Sequence, residues 1–308
     1  MTGENVQHTN QRSKKRTASR TDEYDPFVRG RYPVGVRTIQ ALDKIRDRLF
    51  PCEIWYPAAA QHAGHDIASG TQDFFTVPPG DTPRSQMAVR NAAARPGTYP
   101  PIVFSLLDHL LNGAAWDSEA NLDPTRIGIV GHSFGGWTAL AAPDVESRIR
   151  AVVALAPGGS SQPRPGILKA KLAFAWGRDV PTLFLVAEND ISLPLAGMYE
   201  IFERTPATKQ MVILRRADHM HFMDNVEEMH EMVRKMPFTG ELAWLPREMR
   251  PIAELCSGEQ AHVFVRGLTL CHLDAILRQQ EEAQRFLAGD IEDALAARGV
   301  EVLVKFVK

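Results

Sequence analysis

The chain lacks any run of about eighteen apolar residues, the length a helix needs to cross a hydrocarbon core, so no membrane span is expected. Met1–Thr21 is polar and offers no apolar stretch that could act as the core of a signal peptide. Its basic run, Arg12-Ser-Lys14-Lys15-Arg16, reads as a solvated tail. Cysteine is scarce: Cys52, Cys256 and Cys271 lie far apart, without C-x-x-C spacing, which leaves neither a zinc site nor a disulfide framework. An excess of one charge is also missing, since 35 Lys and Arg stand against 37 Asp and Glu, and a surface built to hold nucleic acid is excluded. Together these absences predict a reduced, cytoplasmic protein with no nucleic-acid partner and no membrane span.

What remains is material for a large core, 44% hydrophobic over 308 residues. Residues 1–24 are expected to form a disordered polar tail, and 25–308 a single domain. Pro33–Gln40 and Arg48–Tyr56 read as two strands of a hairpin, and residues 58–100, rich in Gly, Pro and Ala, as a long irregular segment. Short apolar runs follow at Pro101–Phe104, Arg126–Val130, Ile149–Ala156, Pro181–Ala187 and Lys209–Arg215, separated by loop or helix signals. Strands alternating with helices predict an α/β fold with a mostly parallel sheet covered on both faces. Val263–Arg298 has helical spacing and should supply packing helices over the sheet.

The densest information sits at Arg126-Ile-Gly-Ile-Val-Gly131-His132-Ser133-Phe134-Gly135-Gly136, an apolar run entering Gly-x-Ser-x-Gly and then a helix-forming segment. That order matches a nucleophile elbow, in which a sharp strand-to-helix turn presents a serine and leaves no room for side chains two residues away on either side. The N–H of Phe134 would point at the oxyanion formed in acyl transfer.

A serine hydroxyl needs a histidine base and an acid to orient that base, and in this kind of fold they follow in the order Ser, Asp or Glu, His. Asp190 lies directly after one strand, with Glu188 as its rival, and His219 after another, with His221 as its rival. Both positions fall at carboxyl ends of strands, where sites in open α/β sheets form. His109, His230, His262 and His272 read as ordinary surface or core histidines, and Asp218 as a residue in solvent or behind the base. Cys271 and His272 are neighbours in sequence, but neighbours on a helix point in different directions, so they do not form a nucleophile and base. Trp116, Trp137 and Trp176 read as core aromatics rather than as the lining of an acyl pocket.

These motifs resemble the α/β-hydrolase superfamily, in particular its bacterial dienelactone-hydrolase-like and platelet-activating-factor-acetylhydrolase-like serine esterases. The resemblance rests on Tyr32-Pro-Val-Gly-Val-Arg37, Glu53-Ile-Trp-Tyr-Pro57, Pro101-Ile-Val-Phe-Ser105, Asp123 to Gly136 and Ala217-Asp-His219, and runs from about Tyr32 to Phe222. It implies hydrolysis of carboxylic esters with small or medium acyl chains through an acyl-enzyme at Ser133, with His219 and Asp190, and with neither metal nor organic cofactor.

One departure stands out. Relatives follow the strand ending in Val-Phe-Ser with a His-Gly turn, a helix, another strand and a long loop; here Phe104-Ser105 runs straight into Leu106-Leu-Asp-His-Leu-Leu111. The resemblance therefore implies an internal deletion after Ser105 that removes one interior strand and the loop carrying the second oxyanion donor. Ser105-Leu-Leu-Asp108 has the spacing of a capping box, so a helix starting there would offer the N–H groups of Leu106 and Leu107 as substitutes. The competing expectation is a catalytically impaired relative with a binding or scaffold role.

Overall fold

The computed structural model describes residues 24–43, 47–76, 83–103 and 120–307. Strands β1 (Val34–Asp43) and β2 (Arg48–Pro57) form the expected antiparallel hairpin, joined on its β1 side by the short parallel strand β5 (Val89–Arg90). The segment read as irregular holds three further short strands, β3 (Asp73–Phe75), β4 (Arg84–Gln86) and β6 (Gly97–Tyr99). Each has two or three residues, too few for a period of two to show in the sequence.

Among the described residues the main sheet has six strands in the order β13-β12-β11-β10-β9-β7. It runs through β7 (Ile102–Val103), β9 (Ile127–His132), β10 (Ile149–Leu155), β11 (Thr182–Ala187) and β12 (Lys209–Leu214), all parallel, to β13 (Val302–Val307), which is antiparallel to β12. A further short strand, β8 (Ala120–Leu122), pairs with β6 away from this sheet. The helices among the described residues are, in order, α1 (Phe134–Ala141), α2 (Leu195–Arg204), α3 (Val226–Lys235), the single turn α4 (Leu245–Glu248), α5 (Gly258–Leu277), α6 (Glu281–Ala288) and α7 (Ile291–Ala296).

The central strands read as unbroken apolar runs because both faces of the sheet are covered. Val153, Leu155, Leu183, Leu185, Val212 and Leu214 project to one side and pack against Ala261, Phe264, Leu268 and Leu273 of α5. Their neighbours Val152, Ala154, Phe184, Val186, Met211 and Ile213 project to the other and meet Leu140 of α1 with Met198, Ile201 and Phe202 of α2. Helix α5 lies so close to the sheet that a Cβ on Gly128 would sit 2.8 Å from Leu273 Cδ2.

Two expectations need correction. The C-terminal region is not made of packing helices alone: its last residues add β13, an edge strand whose half-exposed face dilutes the apolar signal. The polar tail also ends earlier than placed, since the Tyr24 hydroxyl donates to the Asp274 carboxylate at 3.1 Å and anchors the chain to α5. Residues 1–23 lie outside the described part. Within the main sheet β7 pairs directly with β9, Ile102 opposite Gly128. Strand β2 stays on β1 in its own sheet, and among the described residues no strand pairs with the other edge of β7.

Candidate active site

Ser133 sits between β9 and α1 at φ 58° and ψ −116°, a region that a residue with a side chain enters only when its surroundings force it. Those surroundings are backbone hydrogen bonds: the N–H of Ser133 donates to the Leu155 carbonyl at 2.9 Å, and its carbonyl accepts from Trp137 at 3.1 Å and Gly158 at 3.0 Å. A Cβ at Gly131 would fall 2.0 Å from the Gly135 carbonyl oxygen, which makes the first glycine of the elbow obligatory. The expectation for the second is corrected: a Cβ at Gly135 meets nothing within 4 Å, and it is Gly136, 2.9 Å from Pro157, that needs the missing side chain.

Three sequence-selected side chains come together here. His219 Nε2 lies 2.9 Å from Ser133 Oγ, and His219 Nδ1 lies 2.7 Å from Asp190 Oδ2. The other carboxylate oxygen of Asp190 accepts the N–H groups of Ser192 at 2.9 Å and Leu193 at 2.8 Å, so the turn after β11 fixes the acid before it meets the imidazole. Burial disfavours a charged His219, but the charge of Asp190, its hydrogen bond and the charge of Asp218 outweigh that cost and raise the pKa above its ordinary value. The Nδ1–H tautomer, assigned from these partners, leaves Nε2 free to accept the serine proton.

The rivals fall elsewhere. Glu188 turns outward, its carboxylate accepting the Arg216 N–H at 3.0 Å and pairing with the Arg215 guanidinium at 2.9 Å. His221 faces away from Ser133, its Nε2 3.0 Å from the Cys256 carbonyl. Asp218 is buried behind the base and accepts the N–H of Met220 at 3.0 Å, which caps the single turn beginning at His219. His230 and His272 are buried, with Nε2 2.9 Å from the Arg250 carbonyl and 3.2 Å from that of Pro181.

Sequence reasoning missed one neighbour. The ring of His132 lies 4.7 Å from that of His219 and 5.5 Å from that of Phe222. Burial and the charge of His219 push its pKa down to about 3, so it serves as a neutral wall and not as a second base. Its place inside the Gly-x-Ser-x-Gly motif was the available signal.

Phe134 opens α1, where N–H groups have no partner within the helix. Its ring is half exposed and lies 4.8 Å from that of Trp137, so apolar surface borders Ser133. Trp137 is partly buried and packs against the core beside α1, with its indole N–H held by the Lys171 carbonyl at 2.8 Å, and Trp176 is buried as expected. Leu106, the other oxyanion candidate, Leu107, His109 and Trp116 lie outside the described residues. A cavity of about 260 Å³ borders the acid loop, lined by Ser160, Pro163, Leu193 and Met198 but by neither Ser133 nor His219. Among the described residues no group of acidic, histidine or cysteine side chains is arranged to hold a metal, and no helix is long and apolar enough to cross a membrane.

A ferulic acid esterase from Streptomyces cinnamoneus superposes with a TM-score of 0.56, covering 82% of this chain and 92% of that one at 17% sequence identity. The fold is that of an α/β-hydrolase. No family model matches the sequence. Two relatives similar in sequence are Cutinase 1 of Thermobifida cellulosilytica and the cutinase of Thermobifida fusca (strain YX), each 24% identical over 163 residues, which is 51% of this chain. The match spans about half the length of those relatives, 56% and 48% respectively.

Proposed function

We propose that this α/β-hydrolase is a serine esterase that cleaves carboxylic esters of small or medium acyl chains. The observation that carries the reading is the unbroken line of hydrogen bonds from Ser133 through His219 to Asp190. Ser133 Oγ would attack the ester carbonyl while its proton passes to His219 Nε2; His219 would then return that proton to the departing alkoxide, leaving an acyl-serine. Water activated by the same nitrogen would release the acid. Asp190 holds the imidazole tautomer and balances its transient positive charge. The Phe134 N–H would stabilise the oxyanion, together with a second donor for which we propose Leu106. The similarity to two cutinases and a ferulic acid esterase supports ester chemistry.

A further element of this reading is an internal deletion after Ser105 relative to dienelactone-hydrolase-like enzymes, and what supports it is that among the described residues no strand pairs with the far edge of β7. Loss of one oxyanion donor costs about 10²–10³ in kcat, so the same feature supports a weak or impaired catalyst as the second reading. Intact-mass labelling with a fluorophosphonate separates them. A single adduct on the wild type, absent from Ser133→Ala, is expected, followed by turnover of short p-nitrophenyl esters. An unlabelled but folded wild type would leave the impaired relative with a binding role.

A further inference from the structure

We propose that the buried Asp218 carboxylate, clamped between His221 and His230, is a positioning residue that fixes the orientation of His219 and supplies it with a second buried anion beside Asp190. The inference rests on the reading of His219 as the base.

A helix cap needs one acceptor. Asp218 provides much more. Its Oδ1 accepts the Met220 N–H at 3.0 Å and lies 2.8 Å from His221 Nδ1, while Oδ2 lies 2.7 Å from His230 Nδ1 on α3. Both imidazoles are fully buried, and their far nitrogens end on the carbonyls of Cys256 at 3.0 Å and Arg250 at 2.9 Å. The N–H of Cys256 in turn reaches the Arg216 carbonyl at 2.6 Å, two residues before Asp218, and closes the circuit. The exit of β12, helix α3 and the strap from Arg250 to Cys256 therefore converge on one carboxylate, which is bonded through the chain to the candidate base. A displacement of about 1 Å in a reacting group is enough to cost roughly a hundred-fold in rate.

The charges around this carboxylate give the proposal a sign. His219 faces Asp190, Ser133, the neutral ring of His132 and Asp218. Asp218 faces His221 and His230; His221 also feels Cys256, and its charge reaches Glu227 of α3, whose carboxylate accepts the Gly258 N–H at 2.7 Å. Burial opposes a charged His221, but its hydrogen bonds to Asp218 and Cys256 and the charge of Asp218 push its pKa up to about 10. The cluster thus holds an anion near His219 with its counter-charge turned away toward Cys256.

Two variants pull in opposite directions. Asp218→Asn keeps an oxygen to cap the turn but removes the anion, so the midpoint at which His219 titrates should fall by about half a unit or more. His221→Gln removes the counter-charge and leaves the anion, so the same midpoint should rise. Both are read by NMR of protein carrying ¹³C at the histidine Cε1 positions, the His219 signal being assigned with His219→Gln. Alongside, kcat on p-nitrophenyl acetate should drop about ten- to a hundred-fold in Asp218→Asn with KM within about two-fold. A His219 midpoint that stays put in both folded variants, or shifts the same way in both, overturns the proposal. If Asp218→Asn does not fold, the sign of the His221→Gln shift decides. Failure of fluorophosphonate labelling in the wild type would sink the esterase reading instead, while the titrations still test the link between Asp218 and His219.

Discussion

Single residues at the elbow carry geometry that no substitute reproduces. Gly131→Ala would place a methyl group 2.0 Å from the Gly135 carbonyl, and relief requires moving the backbone that presents Ser133. Overpacking of this kind typically costs 1–3 kcal/mol, so urea denaturation should give a midpoint below that of the wild type, with labelling slowed even at full folding. Gly135→Ala, with open space around its Cβ, should retain most of its stability. At the base, proton linkage fixes the pH response. His219 must be neutral to accept a proton, and its pKa is raised, so kcat/KM should fall on acidification with a midpoint above the ordinary histidine value of 6.5. For stability the signs oppose. His221, raised from 6.5 to about 10, contributes stability that is complete below 6.5 and fades as pH climbs toward 10; Asp218, depressed from 3.8, contributes stability that is present above that value and lost on acidification below it. Urea midpoints measured from pH 3 to pH 10 should therefore pass through a maximum between those limits. Much of the site was legible at this scale because Gly-x-Ser-x-Gly and the ends of β11 and β12 mark three positions independently. Asp218 was undervalued because adjacency to His219 gives no hint that its side chain turns inward onto α3.

Elements position those residues because the sheet is apolar on both faces. The runs at Ile149–Leu155 and Thr182–Ala187 announced buried parallel strands in the sequence, and helix α5 covers one side of them. Leu268, fully buried at the centre of α5, anchors that cover. Leu268→Ala should cost about 2–5 kcal/mol, a loss that chemical denaturation would read directly. Strand β13 escaped notice because it pairs through its backbone at an edge, where side chains need not be uniformly apolar, and its register with β12 joins residues as far apart in sequence as Lys209 and Val307, beyond the reach of any local pattern. The short strands β3 to β6 were hidden for the opposite reason, since two or three residues cannot establish a periodicity.

At the scale of the whole molecule the main sheet ends, among the described residues, at β7, and Ile102 on that strand is 43% exposed. Open strand edges recruit other chains. Ile102→Lys should consequently reduce light scattering on concentration or mild heating, while leaving fluorophosphonate labelling intact; equal scattering from the two proteins would show that this edge is not the sticky one. The placement of the hairpin in a sheet of its own was not legible in the sequence, because it depends on contacts that leave no local trace.

That separation of sheets divides the molecule's cohesion unequally. Ser133, Asp190 and His219 all follow strands of the six-stranded sheet, whereas β1, β2 and β5 share no backbone ladder with it among the described residues. On gentle heating the hairpin sheet can melt as its own cooperative unit, so amide exchange should spread through Val34–Pro57 first. Covalent capture of Ser133 should outlast that first melting, and the protein would lose part of its shape before the candidate site comes apart.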